Sequence, residues 1–236
     1  MIKLVDFHSH VLPGIDDGSA SVEESIEMLR MEARQGVECV VATPHFYANH
    51  DNPEQFLARR NEAEAELREA MAKIDGLPEL EVGAEVYYFS GISDSDILKG
   101  LTISKKRCIL IEMPQPPWTD RMYQELEDIN RKQGLIPIIA HVDRYIRPFC
   151  TYGIPKRLNE MGLYVQANAS FFVQRSTARL AMKMLKNDQI HLLGSDCHNV
   201  TSRPPNLEIA ADAIEGKLGK GTLHRIKRYE DELLGE

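Results

Sequence analysis

Apolar and polar positions along this chain alternate between two periods. Seven short runs are almost continuously apolar or β-branched: residues 3–7 (KLVDF), 38–43 (ECVVAT), 80–84 (LEVGA), 108–112 (CILIE), 136–140 (IPIIA), 163–167 (LYVQA) and 190–195 (IHLLGS). Runs of this kind suit strands covered on both faces, as in a parallel sheet. Helical patterns lie between most of them, over residues 21–36, 52–76, 120–134, 176–188 and 206–219. Ser21 with Glu24 three residues on is a capping-box signal, and Asn52–Pro53 places an N-cap before a proline at the first helical position. Repeated strand–helix units of about 30 residues predict a doubly wound sheet or a βα barrel. No linker, repeat or low-complexity stretch interrupts them, so residues 1–236 are expected to form a single domain.

Composition narrows the partners. The net charge of −8 argues against broad nucleic-acid binding, which needs basic surface. It leaves a phosphorylated substrate open, because bound divalent ions reverse the sign locally. No run approaches the ~18 apolar residues of a membrane span. The first residues have neither a basic region nor a long apolar stretch, so a cytoplasmic protein without a signal peptide is expected. The four cysteines, Cys39, Cys108, Cys150 and Cys197, show no CxxC spacing, which suits a reducing compartment.

The chemistry lies in the residues at the C-terminal end of each run. After the first come His8, His10 and the pair Asp16–Asp17; after the second comes His45. Glu85, Glu112 and His141 close the third, fourth and fifth, Asn168 the sixth, and Asp196 and His198 the seventh. In a parallel barrel all strand C-termini meet at one face, and residues two apart in a strand share a side. His8 and His10 are therefore expected to converge, as are Asp196 and His198. With no paired cysteines, a structural zinc site is excluded, whereas imidazole with carboxylate suits Mn²⁺, Fe²⁺ or catalytic Zn²⁺, with Mg²⁺ a further option. Counting one of the Asp16–Asp17 pair, nine such ligands are too many for one ion and enough for three. Clustered ions serve phosphoryl transfer, and Arg144 and Arg203 offer guanidinium forks for phosphate oxygens.

Taken in order, "HSH", "DDG", "TPH", "GAEVYY", "LIEM", "AHVDRY" and "SDCHN…RPP" resemble the PHP (polymerase and histidinol phosphatase) superfamily. Within it the resemblance is to the manganese-dependent bacterial protein-tyrosine phosphatases of capsule and exopolysaccharide loci. It implies an α/β fold, a distorted (β/α)7 TIM-like barrel, with a trinuclear Mn²⁺ site at the C-terminal strand ends. By motif, His8, His10 and Asp196 would hold one ion and Glu85 would bridge to a second, completed by Glu112 and His141. Asp17, His45 and His198 would hold the third, with Asp16 in support. Arg144 and Arg203 match the phosphate-contacting arginines. The implied reaction is in-line attack by a metal-activated hydroxide without a phosphoenzyme, and no motif identifies a general acid. The implied partner is the tyrosine-phosphorylated tail of a bacterial tyrosine kinase, met at an entrance drawn from Tyr47, Tyr87, Tyr88, Phe89 or Trp118. At least two of the four residues in "VYYF" are expected to be core instead, and the proline-rich loop at 112–122 is equally readable as a turn.

Three rivals remain. A small-molecule phosphoesterase, such as a histidinol-phosphate phosphatase of the same superfamily, would share the metals and differ in its pocket. A metal-dependent regulatory subunit would share them without catalysis. Cys197 and Arg203 also show the C-x5-R spacing of cysteine-dependent tyrosine phosphatases. Their intervening "HNVTS" has no glycine to free a phosphate-cradling backbone, and Cys197 should point away from its two neighbours.

Overall fold

The computed structural model describes residues 3–103, 106–146 and 153–235; Cys150 lies outside them. Its strands are β1 (Leu4–Ser9), β2 (Val37–Ala42), β3 (His45–Phe46), β4 (Glu79–Val82), β5 (Glu85–Tyr87), β6 (Cys108–Glu112), β7 (Ile136–Ile139), β8 (Tyr164–Asn168) and β9 (Leu192–Gly194). Every ladder is parallel, in the orders β1-β2-β4 and β3-β5-β6-β7-β8-β9. β2 and β3 are halves of one strand broken at Thr43–Pro44, and β4 and β5 are halves of another broken at Gly83–Ala84. Joined end to end, the halves make seven strands. The circle closes where Ser9 bridges Cys197, with Asp196 N donating to His8 O (2.8 Å) and His10 N to Cys197 O (2.9 Å). The arrangement is the distorted seven-stranded barrel expected from the apolar runs.

The helices are α1 (Val22–Arg34), α2 (Pro53–Met71), α3 (Leu98–Leu101), α4 (Asp120–Gln133), α5 (Gly153–Glu160), α6 (Ser170–Val173), α7 (Ala178–Lys186), α8 (Leu207–Leu218) and α9 (Lys220–Leu234). Their starts reflect local chemistry. Ser21 accepts from Glu24 N, and Glu24 Oε2 reaches back to Ala20 N at 2.9 Å. Asn52 accepts from Gln55 N ahead of Pro53. The sequence pattern does not foreshadow α9, because its buried stripe of Leu223, Ile226 and Leu233 is interrupted by a buried acid, Glu230. α3 and α6 are too short to carry a periodic signal.

Two cores result. Inside the barrel, Val5, Phe7, Cys39, Val41, Cys108, Leu110, Ile138, Ala140 and Leu192 form one buried cluster with Leu233 and Leu234 of α9. Cys108 opens β6 and its Sγ approaches Leu233 O, so α9 closes the N-terminal end of the barrel. The larger cluster fills the layer between strands and helices. Burial of this kind contributes roughly 25 cal/mol per Å² of apolar surface. It also leaves the opposite, C-terminal mouth as the place where polar side chains gather.

Candidate active site

All nine sequence-predicted ligands meet at that mouth, and irregular backbone places most of them. In β1 the register against β2 slips between Asp6 and Ser9, inserting one extra residue. Such a bulge re-aims side chains: Asp6 turns toward Glu32 of α1, while His8 and His10 converge with their Nε2 atoms 3.2 Å apart. His45 and Glu85 do not end strands as the runs suggested. Each opens the second half of a broken strand, and they are direct register partners. Glu112 closes β6. His141 and Asp196 lie just beyond β7 and β9 with φ of 28° and 54°. Asp196 and His198 therefore come together (3.7 Å) through a left-handed turn and not through strand alternation. Left-handed backbone at a non-glycine residue costs energy that surrounding structure must hold, and it concentrates at functional sites. A side chain at Gly18 would collide with the carbonyl and Cβ of His10, so only glycine lets the Asp16–Asp17 loop fold back over the histidines.

The donors form three overlapping groups. In the first, His8 Nε2 and His10 Nε2 lie 3.4 and 3.5 Å from Glu85 Oε2 and 3.7 and 3.6 Å from Asp196 Oδ1. In the second, His141 Nε2 is 2.6 Å from Glu85 Oε1 and 3.6 Å from Glu112 Oε1. In the third, Asp17 Oδ1 is 3.4 Å from His45 Nε2 and 3.5 Å from His198 Nε2. Glu85 thus turns one oxygen to each of the first two groups, while its Oε2 also meets His45 Nδ1 at 2.8 Å.

These donors fit divalent ions. Atoms ~2.1 Å from a common ion stand roughly 3.0–3.4 Å apart, close to most of these separations. Glu85 Oε2, Asp196 Oδ1, His45 Nδ1 and His198 Nε2 are buried and make no well-aligned hydrogen bond, although His45 Nδ1 approaches Glu85 Oε2 and Arg203 approaches Asp196 Oδ1 at 2.8 Å each, so a cation would complete their coordination. The outer ring nitrogens are already committed. His8 Nδ1 meets Gln166 Oε1 (3.3 Å), His10 Nδ1 meets Asp16 Oδ2 (2.7 Å), and His198 Nδ1 meets the Asp196 carbonyl (3.0 Å). Each contact places the ring proton on Nδ1 and aims the Nε2 lone pair inward.

Charge obeys the same plan. Burial disfavours a charged His8, but Glu85 and Asp196 outweigh it and raise its pKa to about 9. Burial opposes ionisation of Glu85 and Asp196 too, yet the surrounding histidines, joined by Arg144 at Asp196, hold both well below the usual carboxylate range. Asp16, despite burial, is lowered to about 2 by His10 and backbone donors. His198 is pushed down to about 4 by burial, His10 and Arg203.

Arg144 spans Asp196 Oδ2 (2.6 Å) and Glu112 Oε1 (3.3 Å), and Arg203 reaches Asp196 Oδ1 (2.8 Å). Both guanidinium groups therefore sit at the rim. His8 and His10 are fully buried at the floor, whereas Asp17 and the two arginines stay partly open. Tyr47 and Tyr87 line this rim beside His45, with ring centroids 5.5 Å (His45–Tyr47) and 5.7 Å (Tyr47–Tyr87) apart. Tyr88 instead bonds to Glu125, and Trp118 is buried edge-on against Tyr145. Tyr145 closes the "AHVDRY" motif, but sequence reasoning gives it no role: its hydroxyl accepts from Met113 N and lies 3.3 Å from His141 Nδ1. Gln166 is a second residue that sequence reasoning misses, although it shares a strand face with Asn168, two residues on in the same run.

Cys197 faces away from the donors. It is fully buried, 3.9 Å from Glu32 Oε1 in a cluster with Asp6, and burial holds its thiol well above the ordinary range. The amides of Thr201, Ser202 and Arg203 all donate to Asn199 Oδ1, so none is left to cradle a phosphate. The thiolate that the C-x5-R mechanism requires is missing, and most of the loop amides that would cradle a phosphate are engaged.

Residues 4–234 match the family described as capsular polysaccharide synthesis, CpsB/CapC. The chain is 31% identical to tyrosine-protein phosphatase CpsB of Streptococcus pneumoniae over 92% of its own length and 91% of that protein. It is 28% identical to tyrosine-protein phosphatase YwqE of Bacillus subtilis, over 92% and 85%. A crystal structure from the pair YwqE (Bacillus subtilis) and CpsB (Streptococcus pneumoniae), described as unique metal-dependent tyrosine phosphatases, superposes with a TM-score of 0.86 at 26% identity, covering 99% of this chain and 95% of that one. A putative histidinol phosphatase from Listeria monocytogenes shares the fold alone, with a TM-score of 0.52 at 10% identity, over 83% of this chain and 96% of its own.

Proposed function

This chain belongs to the CpsB/CapC family of capsular polysaccharide synthesis, and on that premise we propose that it is a metal-dependent protein-tyrosine phosphatase whose single domain carries three divalent ions, Mn²⁺ by preference. The observation that carries this reading is the gathering of nine histidine and carboxylate side chains into three overlapping donor groups at one mouth, where buried atoms of Glu85, Asp196, His45 and His198 make no well-aligned hydrogen bond. His8, His10 and Asp196 would hold one ion, Glu112 and His141 a second with Glu85 shared between them, and Asp17, His45 and His198 the third. When bound, such ions supply Lewis-acid charge to phosphoryl oxygens and make water acidic enough to attack near neutral pH.

The remaining work falls to the chain. Arg144 and Arg203 flank Asp196 and present their forks to the non-bridging oxygens of a phosphoryl group, orienting it for in-line displacement. Tyr47 and Tyr87 offer flat faces to an aryl leaving group. A phenolate, with a pKa of about 10, departs with little acid help. A reachable substrate is a phosphotyrosine on a flexible segment, such as the tail of a cytoplasmic tyrosine kinase in capsule or exopolysaccharide synthesis. No helix of the described residues is long and apolar enough to cross a membrane.

The test is hydrolysis of a phosphotyrosyl peptide, its loss on chelation and its recovery with Mn²⁺. Failure to hydrolyse any aryl phosphate with Mn²⁺, Fe²⁺, Zn²⁺ or Mg²⁺ would overturn the reading. A higher kcat/KM on histidinol phosphate than on the peptide would overturn the substrate class.

A further inference from the structure

Beneath the donor cluster, two amide side chains on β8 connect three of the proposed ligands. Gln166 is fully buried and its Oε1 lies 2.6 Å from the backbone N of His141 and 3.3 Å from His8 Nδ1. Its Nε2 lies 3.1 Å from Asn168 Oδ1, and Asn168 Nδ2 lies 2.9 Å from Asp196 Oδ2. The direction of every bond in this chain is set by one unambiguous donor. The His141 N–H can only donate, so the oxygen of Gln166 must face it and its nitrogen must face Asn168. Asn168 must then turn its oxygen to Gln166 and its nitrogen to Asp196, which can only accept. The same Gln166 oxygen requires the proton of a neutral His8 to sit on Nδ1, leaving the Nε2 lone pair in the mouth. Asp196 Oδ2 is likewise occupied, leaving Oδ1 as the atom that faces His8 and His10.

We propose that Gln166 and Asn168 form a polarity relay, a positioning device that selects which atoms of His8 and Asp196 face the metal. This inference rests on the metal-binding reading above. The backbone is built around the relay: a Cβ at Gly194 would stand 2.7 Å from Gln166 Nε2 and 2.6 Å from His8 Cβ, so glycine alone admits both side chains. Asn168 is fixed from its other side by Asp143 Oδ1, which accepts its backbone N–H at 3.0 Å. The relay also ties the left-handed His141 backbone to the ligands of a different ion.

The experiment compares wild type, Gln166→Met, Gln166→Glu and Asn168→Ala for Zn²⁺ and Mn²⁺ binding, with thermal melts to confirm folding. Gln166→Met keeps the bulk and removes both polar ends, and is expected to weaken metal binding by about 10–100-fold, the usual cost of losing a group that orients a ligand. Gln166→Glu keeps an acceptor for His8 but cannot donate to Asn168, so it is expected to recover part of that loss. Two-dimensional ¹⁵N spectra of the Zn²⁺-loaded protein should show His8 protonated on Nδ1 in wild type and Gln166→Glu. Asn168→Ala added to Gln166→Met should cost less than it does in wild type, since the relay is already broken. Unchanged affinity and an unchanged His8 signature in a folded Gln166→Met protein would overturn the relay while leaving the metal site intact. Absence of metal binding by wild type would instead overturn the underlying reading.

Discussion

His8 Nε2 and His10 Nε2 face each other at 3.2 Å while each ring commits its Nδ1 to an oxygen behind it. Two lone pairs at that separation repel unless a cation or a proton lies between them.

The proton and the metal must therefore compete, and the sign can be worked out. His8 has its pKa raised to about 9, and a metal binds only the deprotonated ring. Below that value each unit of pH lowers the competent fraction about tenfold, so apparent metal affinity is expected to rise roughly tenfold per unit from pH ~6 until it levels off near 9. Stability without added metal runs the other way. The folded pKa exceeds the ordinary 6.5, so the stabilisation is complete below ~6.5 and is lost as pH climbs through about 9. Mn²⁺ binding followed by electron paramagnetic resonance across this range checks the first sign. A pH-independent affinity would refute it.

The adjacent aspartates should separate cleanly. Asp16 is buried and accepts from His10 Nδ1, Gly18 N (2.9 Å) and His45 N (3.0 Å), whereas the Asp17 side chain is 68% exposed. An asparagine at Asp16 must turn its NH₂ toward one of these donors. Asp16→Asn is expected to cost about 1–3 kcal/mol of stability and roughly 10–100-fold in metal affinity. Asp17→Asn should keep the melting temperature and lower the number of Mn²⁺ ions bound. Equal melting temperatures and full metal content in both variants would show that neither aspartate acts as assigned.

Much of this was legible in the sequence because the strands are covered on both faces and each run is closed or followed by a polar residue. The seven strands, the convergence of His8 with His10 and the seclusion of Cys197 all come from that pattern. What stayed hidden lies where local and tertiary signals part. The break at Pro44 is visible as a proline, but its alignment with the break at Gly83, which pairs His45 with Glu85, depends on register between distant strands. Gln166 sits inside an otherwise apolar run and acquires meaning only once β7 and β9 flank it and His8 reaches it from β1. The bulge in β1 turns Asp6 outward to a carboxylic acid on α1, a pairing with no sequence spacing at all.

Cys197→Ser offers a direct contrast between the two phosphatase chemistries. The thiol is buried, protonated and turned toward Glu32, and a serine hydroxyl can donate there in its place. The variant is expected to retain activity within a few-fold, with a stability change of no more than about 1–2 kcal/mol. Complete loss of activity with metal content unchanged would reinstate the thiol as nucleophile.

Glu230 makes a prediction far from the mouth. It is buried in the apolar stripe of α9 between Ile226 and Leu233, and burial raises its pKa well above the ordinary 4.5. Lys227 opposes the rise, but it is shared with Glu38 (2.7 Å) and Asp231 (2.8 Å), whose charges, with Asp6, push the same way as burial. The folded state therefore binds this proton more tightly than the unfolded chain, and stability must fall as pH rises above ~4.5 toward the folded value. Glutamine mimics the protonated acid at every pH. Glu230→Gln is expected to melt above wild type at pH 7–8, each ~1 kcal/mol reading as about 2–4 °C in a chain of this length. The gap should close as pH approaches 4, where wild type regains its proton. A gap that stays constant from pH 4 to 8 would mean the effect is packing at α9 and not the cost of a buried charge.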